Sequence, residues 1–286
     1  MFVKPFMYER ADSLEAASDL LRSFDGYARV IAGGQSLMPM MNLGLLEVDG
    51  VIDISRVKDA RGIHHDDGTV SIGALTRHAE LERNGLVREH QPLITAAASW
   101  IGSPRIRSVG TIGGSLVHSD PSAELPLAMV ALGAKYTLRT GSETRVVSAD
   151  EFHVTYFTSS IGDHEVLESV SVPTLGPGWG WGFAEFSRRL GDFAVAAAAV
   201  LVRMAEGSIV EARIALSGVD ERPVRIGVVE ASVLGATKEE LDARIGPIEG
   251  IHPVSDSASS AEHRSRLARV LTLRALGEAI DRAEVA

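Results

Sequence analysis

The chain contains no cysteine. That excludes disulfides, a thiol nucleophile and a cysteine-ligated iron–sulfur cluster carried by these residues, and it fits a reducing compartment. A long apolar run is also missing. The longest, Phe193 to Val202, is about half of the ~20 residues that a membrane helix needs. The opening Met1-Phe2-Val3-Lys4-Pro5-Phe6 has no basic segment followed by an apolar stretch, so neither a membrane span nor a secretory signal is expected, and the expected location is cytoplasmic. Basic clusters are absent as well: 38 Asp and Glu face 28 Lys and Arg, a net charge of −10, so nucleic acid is not an expected partner. The common signatures are missing too. No G-x-G-x-x-G follows a strand, and there is no G-x-x-x-x-G-K-S/T, no H-E-x-x-H and no G-x-S-x-G. No metal site and no nucleophile–base pair is expected.

What is present is a globular chain of 286 residues, 45% hydrophobic and 23% charged, enough for one large domain or two ordinary ones. Asp12-x-x-Glu15 reads as a helix cap with its third-position acid, and Leu14, Ala17 and Leu21 follow at helical spacing. Arg29 to Ala32 is a short strand, Ser36 caps a short helix with Pro39 in its first turn, and Val48 to Ile54 is a strand, so the start is β-α-β. Asp66-Asp67-Gly68 turns into a strand over Thr69 to Ile72, and His64-His65 beside it is exposed. A helix carries Leu93, Ala97 and Trp100. Another covers Ala123 to Leu132 and ends at Gly133. Strands follow at Tyr136 to Leu138 and Arg145 to Val147.

Pro173-Thr174-Leu175-Gly176-Pro177-Gly178 marks a domain boundary, and Gly178-Trp179-Gly180-Trp181-Gly182 reads as a flexible junction with two packing tryptophans. Beyond it, Phe183 to Phe186, Phe193 to Met204 and Ile209 to Ser217 are strands around a turn at Glu206-Gly207-Ser208, although the Ala-rich 193–202 run suits a helix equally by propensity. A C-terminal helix carries an apolar stripe of Leu267, Val270, Leu271, Leu273, Leu276 and Ile280.

The informative feature is a pair of turns. Val30-Ile31-Ala32-Gly33-Gly34-Gln35-Ser36-Leu37 runs from an apolar segment through two glycines to small polar residues, and Val109-Gly110-Thr111-Ile112-Gly113-Gly114-Ser115-Leu116 repeats the pattern. Backbone N–H groups bind concentrated negative charge where no Cβ blocks close approach, and a following helix start adds positive potential. Thr111, Ser36 and Ser115 add hydroxyls, and Gln35 adds an amide. The pair of turns implies one large phosphate-bearing ligand held at two places.

These residues carry a family resemblance. "AGGQSL" with "TIGGSLVHSDPSAELP" resembles the FAD-binding medium subunit of molybdenum hydroxylases, the xanthine-dehydrogenase family that includes carbon monoxide dehydrogenase and N-heterocycle dehydrogenases. The likeness extends through "FMYERADSLEAASDLL", "GVIDISRV", "VSIGALTRHAELE", "SPRIRSVGTIGG", "HEVLESVSVP" and "RRLGDFAVAAAAVLV", nearly the whole chain. It implies an α+β fold: a two-lobed FAD-binding domain of vanillyl-alcohol-oxidase type over 1–175, with lobes of about 1–56 and 57–175, then a small C-terminal domain over 176–286 with a three-stranded antiparallel sheet and helices. It implies that Ala32, Gly33, Gly34, Gln35, Ser36 and Leu37 form the first FAD loop, and that Thr111, Ile112, Gly113, Gly114 and Ser115 form the second, at the pyrophosphate. Glu124, with Asp120 nearby, would contact ribityl or ribose hydroxyls, as ionised carboxylates are strong acceptors; Asp120 equally suits a turn and cap. Ile101 and Leu167 would line the flavin or adenine. Phe193 stands where relatives often carry Tyr beside the flavin ring.

The resemblance also implies partners: a large molybdopterin subunit where substrate is hydroxylated, and a small iron–sulfur subunit whose 2Fe-2S clusters feed electrons to FAD and on to an external acceptor, in a dimer of heterotrimers. Gln35, frequent in the N-heterocycle branch, leans the substrate towards an N-heterocycle. Two alternatives stand beside this: a flavin-free assembly or binding protein of the same fold, and a stand-alone flavin oxidoreductase.

Overall fold

An unforeseen strand precedes the expected β-α-β start. In the computed structural model, which describes residues 3–284, β1 (Met7–Arg10), α1 (Leu14–Ser23), β2 (Ala28–Ile31), α2 (Leu37–Asn42) and β3 (Gly50–Asp53) form a parallel sheet of order β1-β3-β2. Met1 and Phe2 of the opening segment lie outside the described residues. The cap of α1 is Ser13 rather than Asp12: Ser13 Oγ accepts from the Ala16 N–H at 3.0 Å, the reach that a hydroxyl cap requires. Leu14, Ala17 and Leu21 are buried as their spacing predicts.

A second, antiparallel layer follows. Its elements are β4 (Ile63–Asp66), β5 (Thr69–Gly73), α3 (His78–Arg83), α4 (Gly85–His90), α5 (Pro92–Trp100), α6 (Pro104–Arg107), α7 (Ile112–His118), α8 (Glu124–Leu132), β6 (Lys135–Thr140), β7 (Glu143–Ser148), α9 (Ala149–Phe152), β8 (His153–Thr155), β9 (Thr158–Ser159) and β10 (Val166–Pro173). Five of the strands pair in the order β4-β5-β10-β6-β7. Every residue of α8 is buried, as a helix apolar on all sides must be. Gly133, at φ 62°, closes α8 in the left-handed conformation that glycine adopts without Cβ strain.

The C-terminal part holds β11 (Trp179–Phe186), β12 (Ala196–Ala205), β13 (Ser208–Ser217), β14 (Val224–Arg225), α10 (Gly227–Val233), α11 (Leu241–Arg244) and α12 (Ala261–Ala283). Its antiparallel sheet has four strands, β11-β12-β13-β14, not three. The added strand is two residues long and pairs only Val224 and Arg225 with β13, too short to leave a periodic signal. Tertiary pairing makes the Ala-rich segment a strand against its helix propensity.

The Gly-Trp-Gly-Trp-Gly string is not a flexible junction. It lies at the start of β11, and its glycines are contact points for α12. A Cβ on Gly180 would lie 1.8 Å from the Ala279 carbonyl oxygen, and one on Gly182 would lie 1.9 Å from that of Ala275. The buried stripe of α12 accordingly uses small residues, Ala268, Ala275, Ala279 and Ala283, beside Leu271, Leu276 and Ile280; Val270 is 47% exposed, and Leu267 and Leu273 are partly buried.

Alternation along the sheet separates two faces. Phe183, Ala197, Ala199, Leu201 and Ala215 join the core that contains α8 and the five-stranded sheet. Ala184, Ala198, Val200, Ile214 and Leu216 pack with α12 and α10. The helix α8 is thus wedged between α5 and the sheet of β12 and β13, with its N-terminus directed at the seam between the two parts of the chain.

Candidate functional site

The first glycine turn leaves β2 at Ile31 and enters α2 at Leu37. Gly34 sits at φ 67°, which favours glycine. Among the described residues, the backbone N–H groups of Gly33, Gly34, Gln35 and Ser36 donate to no protein acceptor, and the Ser36 hydroxyl makes no cap hydrogen bond. The Gln35 amide donates to the Gly33 carbonyl at 3.2 Å. Exposed N–H groups in succession form an anion-binding nest. They face a cleft of about 490 Å³ that is lined by this turn, by Met38, Pro39 and Asn42 of α2, and by Tyr8, Asp53 and Ser55. The cleft opens at the carboxyl ends of parallel strands, where sheets of this kind bind ligands.

Asp53 and Tyr8 were not foreseen from sequence. Asp53 ends β3, and its carboxylate accepts from the Tyr8 hydroxyl and from the Ser55 N–H at 2.7 Å. Burial pushes its pKa up, but the Tyr8 and Ser55 hydrogen bonds and the Arg10 charge outweigh this and hold it below the usual carboxylate value. It is an ionised acceptor at the edge of the cleft. Its place at the end of an expected strand was the only signal available.

The second turn differs from the first in how its N–H groups are used. Ile112 N–H donates to Thr76 O at 3.0 Å, Gly113 N–H to Ala74 O at 2.8 Å and Ser115 N–H to Thr111 O at 3.1 Å, while Gly114 N–H meets Thr111 Oγ1 at 3.2 Å. Gly113 is a packing glycine: its Cβ would lie 2.7 Å from the Ala74 Cβ. Gly114 is exposed, and a Cβ there would meet only Thr111 Oγ1, at 3.1 Å. The two turns come together, for a Cβ on Gly33 would lie 2.4 Å from the Val109 carbonyl oxygen and 2.9 Å from Gly110 Cα. The first turn supplies free donors, and the second forms the wall against which it seats.

Ile101 and Phe193 stand on adjoining loops. Ile101 caps the C-terminus of α5 in an extended conformation, and its carbonyl accepts from Arg107 Nη1 at 2.9 Å. Gly191 approaches Gly102 so closely that its Cβ would lie 2.8 Å from the Gly102 carbonyl oxygen. Phe193, two residues on, is 73% exposed, an aromatic face presented without protein cover. Leu167 is different: it is 3% exposed and its side chain belongs to the main core, so any ligand contact there runs through backbone.

Asp120 and Glu124 are each 8% exposed, before and at the start of α8. Asp120 Oδ1 accepts from the Ser122 N–H at 2.8 Å, the turn role weighed for it. Burial raises the Asp120 pKa and, assisted by the Asp120 charge, pushes Glu124 up to about 7. Sequence reasoning missed Glu185, which is 6% exposed on β11; burial and the charge of Glu124 push it up to about 8. No motif surrounds it, and its alternation signal is that of an ordinary strand. His118 is lowered by burial and its ring lies 5.2 Å from that of Phe157. His65 lies in β4, stacked on His90 at 3.8 Å.

The cleft itself is lined by the first turn, α2, Tyr8, Asp53 and Ser55; the second turn packs behind Gly33, and Ile101, Asp120, Glu124, Leu167 and Phe193 lie outside that lining. Free backbone donors over the ends of parallel strands are the kind of surface that suits a phosphate-bearing ligand. Comparison with known proteins gives the family. The FAD binding domain in molybdopterin dehydrogenase matches residues 4–175, and the CO dehydrogenase flavoprotein C-terminal domain matches residues 181–279. The 6-hydroxypseudooxynicotine dehydrogenase complex subunit alpha of Paenarthrobacter nicotinovorans is 39% identical over 282 residues, 97% of this chain and 95% of that protein. Two solved structures superpose closely. Carbon monoxide dehydrogenase from Hydrogenophaga pseudoflava, in a form lacking the Mo-pyranopterin moiety of its molybdenum cofactor, has a TM-score of 0.94 at 32% identity, with 99% of each chain covered. Quinoline 2-oxidoreductase from Pseudomonas putida 86 has a TM-score of 0.90 at 31% identity, covering 100% of this chain and 99% of that one. The chain belongs to the FAD-binding medium subunits of molybdopterin dehydrogenases, and it is an oxidoreductase subunit of that kind. Among the described residues, no helix is long and apolar enough to cross a membrane.

Proposed function

We propose that this chain is the FAD-carrying electron-transfer subunit of a three-chain molybdenum hydroxylase. In this reading it takes electrons from 2Fe-2S clusters on a small partner subunit and passes them to an external acceptor, while substrate is hydroxylated on a large molybdopterin subunit. The observation that carries the reading is the donor-lined cleft: four consecutive free N–H groups from Gly33 to Ser36, over the ends of parallel strands and against the second glycine turn. FAD, when bound, supplies the exchange of electrons one or two at a time.

The chain's own residues bind and orient. Gly33 to Ser36 would hold phosphate oxygens without a side-chain cation. Thr111, Gly114 and Ser115 bound the same region, and Gly114 N–H is released to the ligand if a phosphate oxygen displaces the Thr111 hydroxyl. Glu124, with Asp120 behind it, would accept from sugar hydroxyls. Ile101 and Phe193 would border the ring; Phe193 provides a face with no hydroxyl, and Leu167 would contribute backbone alone. The lobes over 1–56 and 57–175 would enclose the cofactor, with 176–286 covering it from the other side. The cofactor site belongs to this chain and the substrate site to a partner, in a dimer of heterotrimers. The substrate class we favour is an N-heterocycle, supported by the likeness to the 6-hydroxypseudooxynicotine dehydrogenase and quinoline 2-oxidoreductase chains.

The test is flavin bleaching under anaerobic conditions. In the assembled complex, the correct N-heterocycle should bleach the flavin; in the FAD-loaded chain alone, the same compound should leave it oxidised. Bleaching of the isolated chain by substrate would overturn the division of labour and favour a stand-alone oxidoreductase.

A further inference from the structure

Two buried polar atoms without partners face the seam ahead of α8. Glu185 Oε2 and Ser217 Oγ both lack a hydrogen bond among the described residues. Glu185 is 6% exposed and Ser217 fully buried. They are not scattered: Glu185 pairs with Ala197, and Ala197 pairs with Ser217. Residues directly opposite on neighbouring strands point to one face, so Glu185 and Ser217 stand on the same side with only a methyl group between them. Ala197 belongs to the core that contains α8, so this is the face turned towards Glu124. The Gly218 N–H donates to the Pro121 carbonyl at 2.9 Å, which ties the end of β13 to the turn leading into α8.

Among the described residues, no cation acts to lower either carboxyl. The titratable groups around them are Glu124 at the start of α8, Asp120 in the turn before it, and His118 at the end of α7. The strands β12 and β13 contribute only Ala197 and Ser217. Arg264 of α12 donates through Nη1 to the Val195 and Gly218 carbonyls at 2.5 and 2.7 Å and through Nη2 to Asp256 at 2.7 Å; its Nε is buried without a partner among the described residues, but α12 packs on the other face of the sheet. The helix α5, also against β11, carries no charged residue.

We propose that Glu185 is a positioning residue that holds the single proton of a Glu124–Glu185 carboxyl pair, leaving Glu124 ionised to accept a hydroxyl of the flavin nucleotide. The inference rests on the reading of Glu124 as a nucleotide contact. Two carboxyls in one low-dielectric site without a cation cannot both ionise at neutral pH, so the pair shares a proton. Burial raises both groups, with the Asp120 charge adding to Glu124 and the Glu124 charge adding to Glu185. Glu124 stands in the first turn of α8, where the helix start and a backbone N–H favour its carboxylate, whereas Glu185 Oε2 is buried with no donor among the described residues, which places that proton on Glu185. When a sugar hydroxyl donates to Glu124, the proton remains on Glu185 and the seam carries one negative charge. At higher pH the Glu185 proton leaves to solvent. Two carboxylates then stand beside a diphosphate, and binding weakens.

The experiment is calorimetric titration of the FAD-free chain with FAD between pH 6.5 and 9.5. The wild-type Kd should rise above about pH 8, approaching about tenfold per pH unit, the slope for one proton. Glu185→Gln, neutral and similar in shape, should remove that limb. A flat wild-type profile, or a limb retained in Glu185→Gln, overturns the proposal. Infrared pH-difference spectra of the FAD-free chain read the same proton directly. A protonated-carboxyl C=O band should titrate away over this range in the wild type, be missing in Glu185→Gln, and move to lower pH in Glu124→Gln. If that band titrates while FAD fails to bind at any pH, the proton assignment stands and the nucleotide reading fails. If the band is absent, the proton assignment fails whatever FAD does.

Discussion

Replacing Gly33 by alanine tests the meeting of the two turns. The added Cβ would lie 2.4 Å from the Val109 carbonyl oxygen and 2.9 Å from Gly110 Cα, whereas ordinary close C···O contacts lie at about 3.3–3.6 Å. Backbone forms the obstacle, so no side-chain rotation relieves it. The first turn must retreat by about 1 Å, and overpacking of this kind costs ~1–3 kcal/mol of stability, a fall of a few degrees in Tm. The consequence for ligand is larger. An N–H···O bond of about 2.9 Å stretched by that distance is no longer a hydrogen bond. Losing two such bonds to phosphate, at ~1.5–3 kcal/mol each, weakens FAD by about 3–6 kcal/mol, or ~10²–10⁴-fold. Calorimetry on the FAD-free chain gives Kd, and circular dichroism with thermal melting separates this from unfolding. A folded Gly33→Ala chain with wild-type FAD affinity would refute the argument that the turns must touch to hold the nucleotide.

Gly114→Val should show the opposite balance: the position is exposed and meets only Thr111 Oγ1, so Tm should change little while the purified chain loses its flavin, read as the ratio of visible to ultraviolet absorbance. Gly182→Ala should damage the fold itself, since its Cβ would lie 1.9 Å from the Ala275 carbonyl oxygen; a loss of ~3 kcal/mol or more is expected by denaturant titration, and an unchanged midpoint would contradict the tight seating of α12. Burial pushes Glu124 and Glu185 up to about 7 and about 8 from the ordinary 4.5, so between about pH 4.5 and these values the native state holds protons that the unfolded chain has released. Their contribution is therefore most favourable below about pH 4.5 and declines as pH rises towards 8. Glu185→Gln should raise Tm at pH 8.5 and leave it nearly unchanged at pH 5; equal shifts at both would contradict the assignment.

The glycine turns were legible because their chemistry is local: a strand, two residues without Cβ and a hydroxyl lie in unbroken order. That the first turn keeps its N–H groups free while the second spends them on Ala74 and Thr76 was not legible, because those acceptors lie some forty residues away in sequence. The strand β1 escaped notice since its four residues are all exposed and carry no alternation. The Gly-Trp repeat misled because glycine marks both a mobile junction and a close helix approach, and only Ala275 and Ala279, almost a hundred residues on, distinguish the two. The same contact explains the stripe of α12. Large apolar residues draw the eye, but a helix lying on a glycine-bearing strand buries alanines and turns Val270 outward. Of the acids, Asp120 and Glu124 follow a recognisable turn, whereas Asp53 and Glu185 acquire significance only from what the fold brings opposite them.

The most direct measurement is a visible absorption spectrum of the chain purified from its own cells, with the co-purifying polypeptides identified. The account predicts a flavin spectrum with iron–sulfur shoulders and two further chains, one rich in cysteine and one large. A colourless, solitary chain that takes up no added FAD would contradict it.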